Sequence, residues 1–215
     1  MKLKKFTFNP FSENTYVLYD NTGQCVIVDP GCSYDKEENE LKKFIEDNKL
    51  TPVRLLNTHC HIDHVLGNRF VSETWNLPLE AHIEEQDNIE NAGPYAAMFG
   101  MPDPKTPAIA KHLAEGDTIS FGDTKMEVLF TPGHSPGHVV FYDKESENVI
   151  GGDVLFRESI GRTDLAGGDF ETLIRSIRNK LFVLAETVTV YPGHGPETTI
   201  GHEKQRNPFL WEVMS

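Results

Sequence analysis

Apolar residues fall along this chain in two kinds of pattern. Short runs rich in β-branched and aromatic residues occupy 14–19 and 24–28, separated by the turn-forming Asp20-Asn21-Thr22-Gly23, and predict a hairpin. Runs of the same kind at 52–57, 77–83, 118–121, 125–130, 138–142, 148–150 and 187–191 predict further strands. In the second kind, apolar residues recur at helical spacing. Leu41, Phe44 and Ile45 do so within 35–48, Leu66/Phe70 and Val71/Trp75 within 65–75, and Leu173, Ile174, Ile177, Leu181 and Phe182 within 170–184. Strands in both halves with helices between them predict an α+β chain of two mixed sheets carrying outer helices. No linker or shift in composition interrupts the pattern, so residues 1–215 read as a single domain.

Residues 87–111 fit neither pattern. Asn, Gly and Pro are interleaved there with Tyr95, Met98, Phe99 and Met101. A long aperiodic stretch of this kind is either a lid or binding loop or a packed surface excursion.

The chemistry concentrates at the end of the predicted strand 52–57. Thr58-His59-Cys60-His61-Ile62-Asp63-His64 places three histidines and an aspartate within six residues. Imidazole and carboxylate are ligands for first-row metals. In an extended turn alternate residues share a side, so His59, His61 and Asp63 are expected to converge. Three later strands also end in glycine-containing loops that carry a ligand: His134 in Thr131-Pro132-Gly133-His134, Asp153 in Gly151-Gly152-Asp153, and His194 in Pro192-Gly193-His194. Glycine beside a ligand lets backbone approach where a side chain would crowd.

Composition narrows the classes. A net charge of −13 speaks against a general nucleic-acid binder, which needs a basic footprint to neutralise phosphates. No window approaches the ~20 apolar residues of a membrane span, and no apolar segment follows the basic N-terminus as in a signal peptide. The three cysteines, Cys25, Cys32 and Cys60, lack a framework spacing, so reduced thiols and a cytoplasmic location are expected.

His-x-His-x-Asp-His, a Pro-Gly-His loop, a Gly-Asp and a final Gly-His, in this order, resemble the metallo-β-lactamase superfamily across essentially the whole chain. The resemblance implies a four-layer αβ/βα sandwich with a dinuclear site at one edge between the sheets. It implies that His59, His61 and His134 hold one divalent cation and Asp63, His64 and His194 the other, with Asp153 bridging them. Zinc is expected, although His/Asp sets also accept iron or manganese. Within the superfamily, residues 9–16, 58–61, 161–164 and 193–203 are similar to the glyoxalase-II-like hydrolases of a short bacterial type. The activity implied is cleavage of a hydroxyacyl thioester, such as S-lactoylglutathione, by a metal-bound hydroxide. Asp63 would orient the hydroxide and Asp153 bridge the metals as the catalytic carboxylates. Only 21 residues follow His194, so the C-terminal helical domain that supplies much of the glutathione site in full-length glyoxalase II is not expected.

Arg162, Tyr95 and Phe99 are candidates to contact a small-molecule thioester; for Arg162 an ion pair bracing the loops is the competing role. His82 and His112 are expected to be structural, His138 to pack or to hydrogen-bond near the site, His202 to lie on the surface, and Cys60 to point away from the ligands. The alternatives are a mononuclear-iron persulfide dioxygenase of the same fold, a lactonase, and a metal-binding scaffold without catalysis.

Overall fold

The computed structural model describes residues 1–210. Its first half runs β1 (Lys2–Phe8), β2 (Glu13–Tyr19), β3 (Gln24–Val28), α1 (Asp35–Asp47), β4 (Thr51–Leu56), α2 (Ile62–Val65), α3 (Asn68–Trp75), β5 (Leu79–Ala81), α4 (Gln86–Glu90), α5 (Ala92–Met98) and β6 (Ile109–His112). The second half runs β7 (Thr118–Phe121), β8 (Thr124–Phe130), β9 (Val139–Asp143), β10 (Asn148–Gly152), the short pair β11 (Leu155–Phe156) and β12 (Ser159–Ile160), α6 (Phe170–Ser176), β13 (Thr189–Pro192), β14 (Thr198–Thr199) and α7 (Ile200–Arg206).

Two six-stranded mixed sheets result, in the orders β1-β2-β3-β4-β5-β6 and β14-β13-β10-β9-β8-β7. In the first, β1, β2 and β3 are antiparallel, whereas β3 to β6 pair in parallel. In the second only β10 and β13 are parallel. Both faces of each sheet are covered. Tyr16, Leu18, Val26 and Val28 meet Ile119, Val128, Phe141 and Ile150 between the sheets. The alternate residues Val17, Cys25 and Ile27 turn outward onto Leu41 and Ile45 of α1. On the far side Val140, Val149 and Val190 pack against Leu173 and Ile177. Burial on both faces explains why β2 and β3 read as nearly continuous apolar runs. These are the four layers expected.

Several boundaries differ from the sequence reading. The helix expected at 65–75 is two: α2 begins at Ile62, within the histidine turn, and α3 starts after Gly67. A Cβ at Gly67 would lie 2.3 Å from Cys32 Sγ and 2.8 Å from the carbonyl oxygen of Pro30, so only glycine lets this break pack. Residues 87–111 are not aperiodic, for they hold α5, most of α4 and part of β6. Their helices are too short for a period to show through the interleaved Gly and Pro. The polar edge strand β1 and the C-terminal helix α7 also went unread in the sequence. The expected helix 170–184 is α-helical only to Ser176 and widens to a π-turn over Ile177–Leu181.

Candidate metal centre

The parallel strands β3 and β4 deliver the first half of the site. Just beyond β3, Asp29 adopts a left-handed φ of 48° and aims its carboxylate at the start of the histidine turn. It accepts the Thr58 amide at 2.7 Å and the Thr58 hydroxyl at 2.6 Å. Thr58 Oγ1 thereby keeps a lone pair for His59 Nδ1, 3.1 Å away. His64 Nδ1 lies 3.2 Å from Asp29 Oδ2. One buried aspartate thus fixes the ring orientation of two histidines and leaves the Nε2 atoms of both facing the site. Alternation along the turn stops at His61, because Ile62 already begins α2. His59 and His61 group with His134, whereas Asp63 and His64 group with His194. His61 and Asp63 still reach the same cavity, and the rings of His59 and His64 have centroids 4.2 Å apart.

The second sheet supplies the remaining groups at the same edge. His134 lies between β8 and β9, Asp153 follows β10, and His194 follows β13. The sheets are joined here through Val139 N to the Thr58 carbonyl (2.8 Å), Asn14 N to the Gly193 carbonyl (2.7 Å) and Tyr16 Oη to the Pro192 carbonyl (2.6 Å). Gly193 is required by space: a Cβ there would lie 2.2 Å from Asp153 Oδ1 and 2.6 Å from His64 Cε1. His138 accepts the Asp153 amide on Nε2 at 3.0 Å and stacks on His59 with ring centroids 4.8 Å apart. His138 thus fills both roles open to it, packing on His59 and hydrogen-bonding the Asp153 loop.

Three groups of donors form, each with its ligand atoms within 4.8 Å of one another: the fully buried Asp29, His59 and His64, then His59, His61 and His134, then Asp63, His64 and His194. The last two reach the cavity floor. Asp153 lies between them: its Oδ1 is 3.5 Å from His64 Nε2, and its Oδ2 is 3.6 Å from His134 Nε2 and 3.5 Å from His194 Nε2. His134 Nδ1 donates to the Arg162 carbonyl at 2.7 Å, so its Nε2 is a bare lone pair, and it faces His61 Nδ1 at 2.9 Å. His59 Nε2, His64 Nε2 and Asp153 Oδ1 are buried with no hydrogen-bond partner. Several buried polar atoms left without a partner around one small volume cost stability, and a cation bound by the deprotonated rings and the carboxylate would satisfy them. The donor set fits divalent metal ions.

The electrostatics sort the histidines into two kinds. Burial alone would lower the pKa of His64 and His194, but Asp63 and Asp153 beside them raise both. Burial drives the His59 ring well below its usual pKa and that of His61 down to about 3, and the neighbouring imidazoles add to the effect. Both are neutral ligand forms. Burial alone would raise the carboxyls of Asp63 and Asp153, but His64 and His194 hold both below the usual carboxylate range. Both stay ionised. Glu13, fully buried 3.9 Å from His64 Nδ1, is pushed up by desolvation.

A second buried carboxylate ties the two histidine loops together. Glu85 accepts the Cys60 amide at 2.7 Å and the Gly137 amide at 2.8 Å, with Asn88 Nδ2 at 2.9 Å and the Ser135 hydroxyl also bonded. Cys60 faces the core behind the first sheet, where burial raises its thiol well above the usual range. Asp29, Glu85 and Glu13 were not singled out as functional in the sequence. Asp29 in Asp29-Pro30-Gly31 looked like a turn residue, and no spacing marks Glu85.

A cavity of about 590 Å³ opens above these groups. His61, Asp63, His134, Asp153 and His194 form its floor. Tyr95, Met98 and Phe99 wall one side beside Phe11, and Phe156, Ile160 and Leu165 wall the other. Arg162 also lines it, but its guanidinium pairs with Asp164, two residues on, at 2.7 and 2.8 Å. That pair lies within one loop and does not brace separate loops, contrary to expectation. The other histidines lie elsewhere: His82 stacks on Phe130, His202 pairs with Glu158 at the surface, and His112 is exposed on β6. Among the described residues no helix is long and apolar enough to cross a membrane.

The family model for the metallo-beta-lactamase superfamily matches residues 8–194, and the chain belongs to that superfamily. It is 41% identical over 211 residues to the probable metallo-hydrolase YqgX of Bacillus subtilis, covering 98% of each chain. It is 36% identical to the hydroxyacylglutathione hydrolase GloC of Haemophilus influenzae, again covering 98% of each. Among solved structures it is similar to the BLEG-1 B3 metallo-beta-lactamase, with a TM-score of 0.90 and 37% identity over 98% of this chain and 100% of that one. TTHA1623, solved in a di-iron-bound form, superposes with a TM-score of 0.86 and 40% identity over 96% and 100%. The chain is thus a metallo-hydrolase of this superfamily, whose members bind divalent metals.

Proposed function

We propose that this metallo-beta-lactamase superfamily member hydrolyses thioesters at a dinuclear centre, with a hydroxyacyl thioester as the substrate type. The observation that carries the proposal is the pair of donor triads flanking Asp153, with unpartnered buried polar atoms on both sides. His59, His61 and His134 would hold one cation, Asp63, His64 and His194 the other, and Asp153 both; zinc is the metal proposed. Two dications there would bring the pKa of a shared water to about 7 and polarise the thioester carbonyl.

The chain's own groups do the rest. Asp63, ionised and 3.1 Å from His194 Nε2, is placed to accept a hydrogen bond from the attacking water and set its direction. Asp153, anchored through its amide by His138, keeps the two halves of the floor in register. A thiolate leaves readily without a strong proton donor, which suits a cavity whose lining offers no ammonium among the described residues. The small-molecule substrate enters through the apolar walls. The kinship with GloC supports this reading.

The kinship with a B3 metallo-beta-lactamase favours a second reading, β-lactam hydrolysis at the same floor. That reaction expels an amine, a poorer leaving group, which needs a proton donor. A mononuclear dioxygenase would leave the Asp63, His64 and His194 triad without a purpose.

The test is elemental analysis of the purified holoprotein, followed by initial rates on S-lactoylglutathione, a simple acyl thioester and a chromogenic cephalosporin. About two divalent ions per chain and thioester cleavage abolished by chelation are expected. Turnover of the cephalosporin alone, or a single iron with oxygen uptake on a persulfide, would overturn the assignment.

A further inference from the structure

The cavity walls and the cavity floor ask for different things from a substrate. The floor is polar, with the carboxylates of Asp63 and Asp153 set among imidazoles. The rest of the lining is mainly apolar: Phe11, Met98, Phe99, Phe156, Ile160 and Leu165 outnumber the polar Asn88, Ser159 and Arg162. Met98 is 77% exposed and Phe99 58%, although both sit at the end of α5, where they could have turned inward. Phe99 is braced edge-on against Phe11 with ring centroids 5.0 Å apart, so the wall is an assembled surface. Phe156 stands edge-on to His194 at 6.3 Å and carries the opposite wall down to the floor.

Charge sharpens the contrast. Arg162 is the one Lys or Arg side chain lining the cavity among the described residues, and its Nε and Nη2 both donate to the Asp164 carboxylate. A glutathione conjugate carries two carboxylates and one ammonium. Entering this cavity, it would bring two carboxylates against mainly phenyl and thioether surface, where the one guanidinium is already shared with Asp164. Desolvating charge without a partner costs far more than apolar contact returns.

We propose that the arm of the substrate lying between these walls is uncharged and apolar, an aromatic or branched-alkyl group, and that Met98 and Phe99 determine this specificity. The proposal rests on the thioester-hydrolase reading above and names the substrate class of the same site. A volume of about 590 Å³ accommodates such an arm together with the thioester, within the ~300–1,000 Å³ usual for ligand cavities.

The experiment compares kcat/KM of the metal-loaded enzyme on three hydroxyacyl thioesters: the mandeloyl and lactoyl thioesters of N-acetylcysteamine, and S-lactoylglutathione. The mandeloyl thioester is expected to exceed each of the other two by about tenfold or more, the scale of discrimination in an apolar pocket. Met98→Ser with Phe99→Ser, both at exposed positions, should lower the mandeloyl-to-lactoyl ratio on N-acetylcysteamine about tenfold, mainly through KM. Phe99→Lys should raise the rate on S-lactoylglutathione relative to the mandeloyl thioester. A wild-type preference for S-lactoylglutathione, or a ratio unmoved by the double substitution, overturns the specificity proposal while leaving thioester hydrolysis standing. Failure to turn over any of the three overturns the hydrolase reading itself, and the specificity proposal with it.

Discussion

The floor and the rim of one cavity are built on opposite principles. At and beneath the floor His59, His64 and His134 are buried, and each has one ring nitrogen engaged, by Thr58, Asp29 and the Arg162 carbonyl respectively. On the rim Met98 and Phe99 are exposed and held by ring and helix packing, with no polar partner. A buried polar group needs a partner at fixed distance and angle, so the floor must be over-determined by hydrogen bonds. Apolar contact has no such directionality, so the rim can vary in shape at small cost. Disturbing the floor should therefore abolish chemistry, whereas disturbing the rim should redirect it.

The sharpest way to break that contrast is to remove the carboxylate between the two triads. Asp153→Ala should lose metal and activity together, by more than the roughly 100-fold typical of losing a supporting residue. Elemental analysis and thioester hydrolysis read the two effects. Retention of both would show that Asp153 does not bridge. Exhaustive chelation of the unaltered protein should also lower Tm, because His59 Nε2, His64 Nε2 and Asp153 Oδ1 would then stay buried without partners. A Tm that metal does not shift would count against the centre being part of the folded structure.

One layer outward, Asp29→Asn tests whether orientation alone matters. The amide keeps one acceptor oxygen but can no longer accept from Thr58 N, Thr58 Oγ1 and His64 Nδ1 together. Metal affinity or kcat/KM is expected to fall by about 10- to 100-fold with the fold retained. Competition with a chelator of known affinity measures it, and an unchanged affinity would reduce Asp29 to a turn residue.

The same layering explains what could be read from the sequence. His59 to His64 were legible because four donors in six residues leave little else for them to do, and His134, Asp153 and His194 because each follows a strand and a glycine. Asp29 and Glu85 were not, since their partners are brought to them only by the parallel pairing of β3 with β4 and by the approach of the His134 loop. His138 was visible but open between packing and hydrogen bonding, because its acceptor role depends on the Asp153 amide, 15 residues away. The rim was obscured for a different reason. Helices of five and seven residues, interrupted by Asn91 and Gly93, complete too few turns to show an apolar stripe. The two-sheet architecture was clear because strands buried on both faces must be continuously apolar.

Glu85→Ala should weaken the fold more than the chemistry. It strands the Cys60 and Gly137 amides in the interior, at about 1–3 kcal/mol for each unsatisfied donor. Urea unfolding of the metal-loaded protein should show a loss of that order per amide, with kcat reduced less than by Asp29→Asn. An unchanged midpoint would mean that the two histidine loops hold their positions without this carboxylate.

The smallest effect is expected at Arg162, and it separates side chain from backbone. The carbonyl of this residue fixes His134 on the floor, while its guanidinium reaches Asp164 in solvent at the rim. Arg162→Ala keeps the carbonyl and removes only an exposed ion pair, a contact of little energetic weight. Hydrogen bonding from Arg162 holds the Asp164 carboxyl at about 2. A depressed carboxylate pKa stabilises only above the unfolded value and loses that contribution as pH falls through the folded one, so this pair adds no titration near neutrality. Rates on an uncharged thioester should therefore stay within about threefold of the unaltered enzyme, with the same pH profile between 6 and 9. A tenfold loss confined to KM would instead place the guanidinium on the substrate, and an anionic group would then have to replace the apolar arm inferred for the rim.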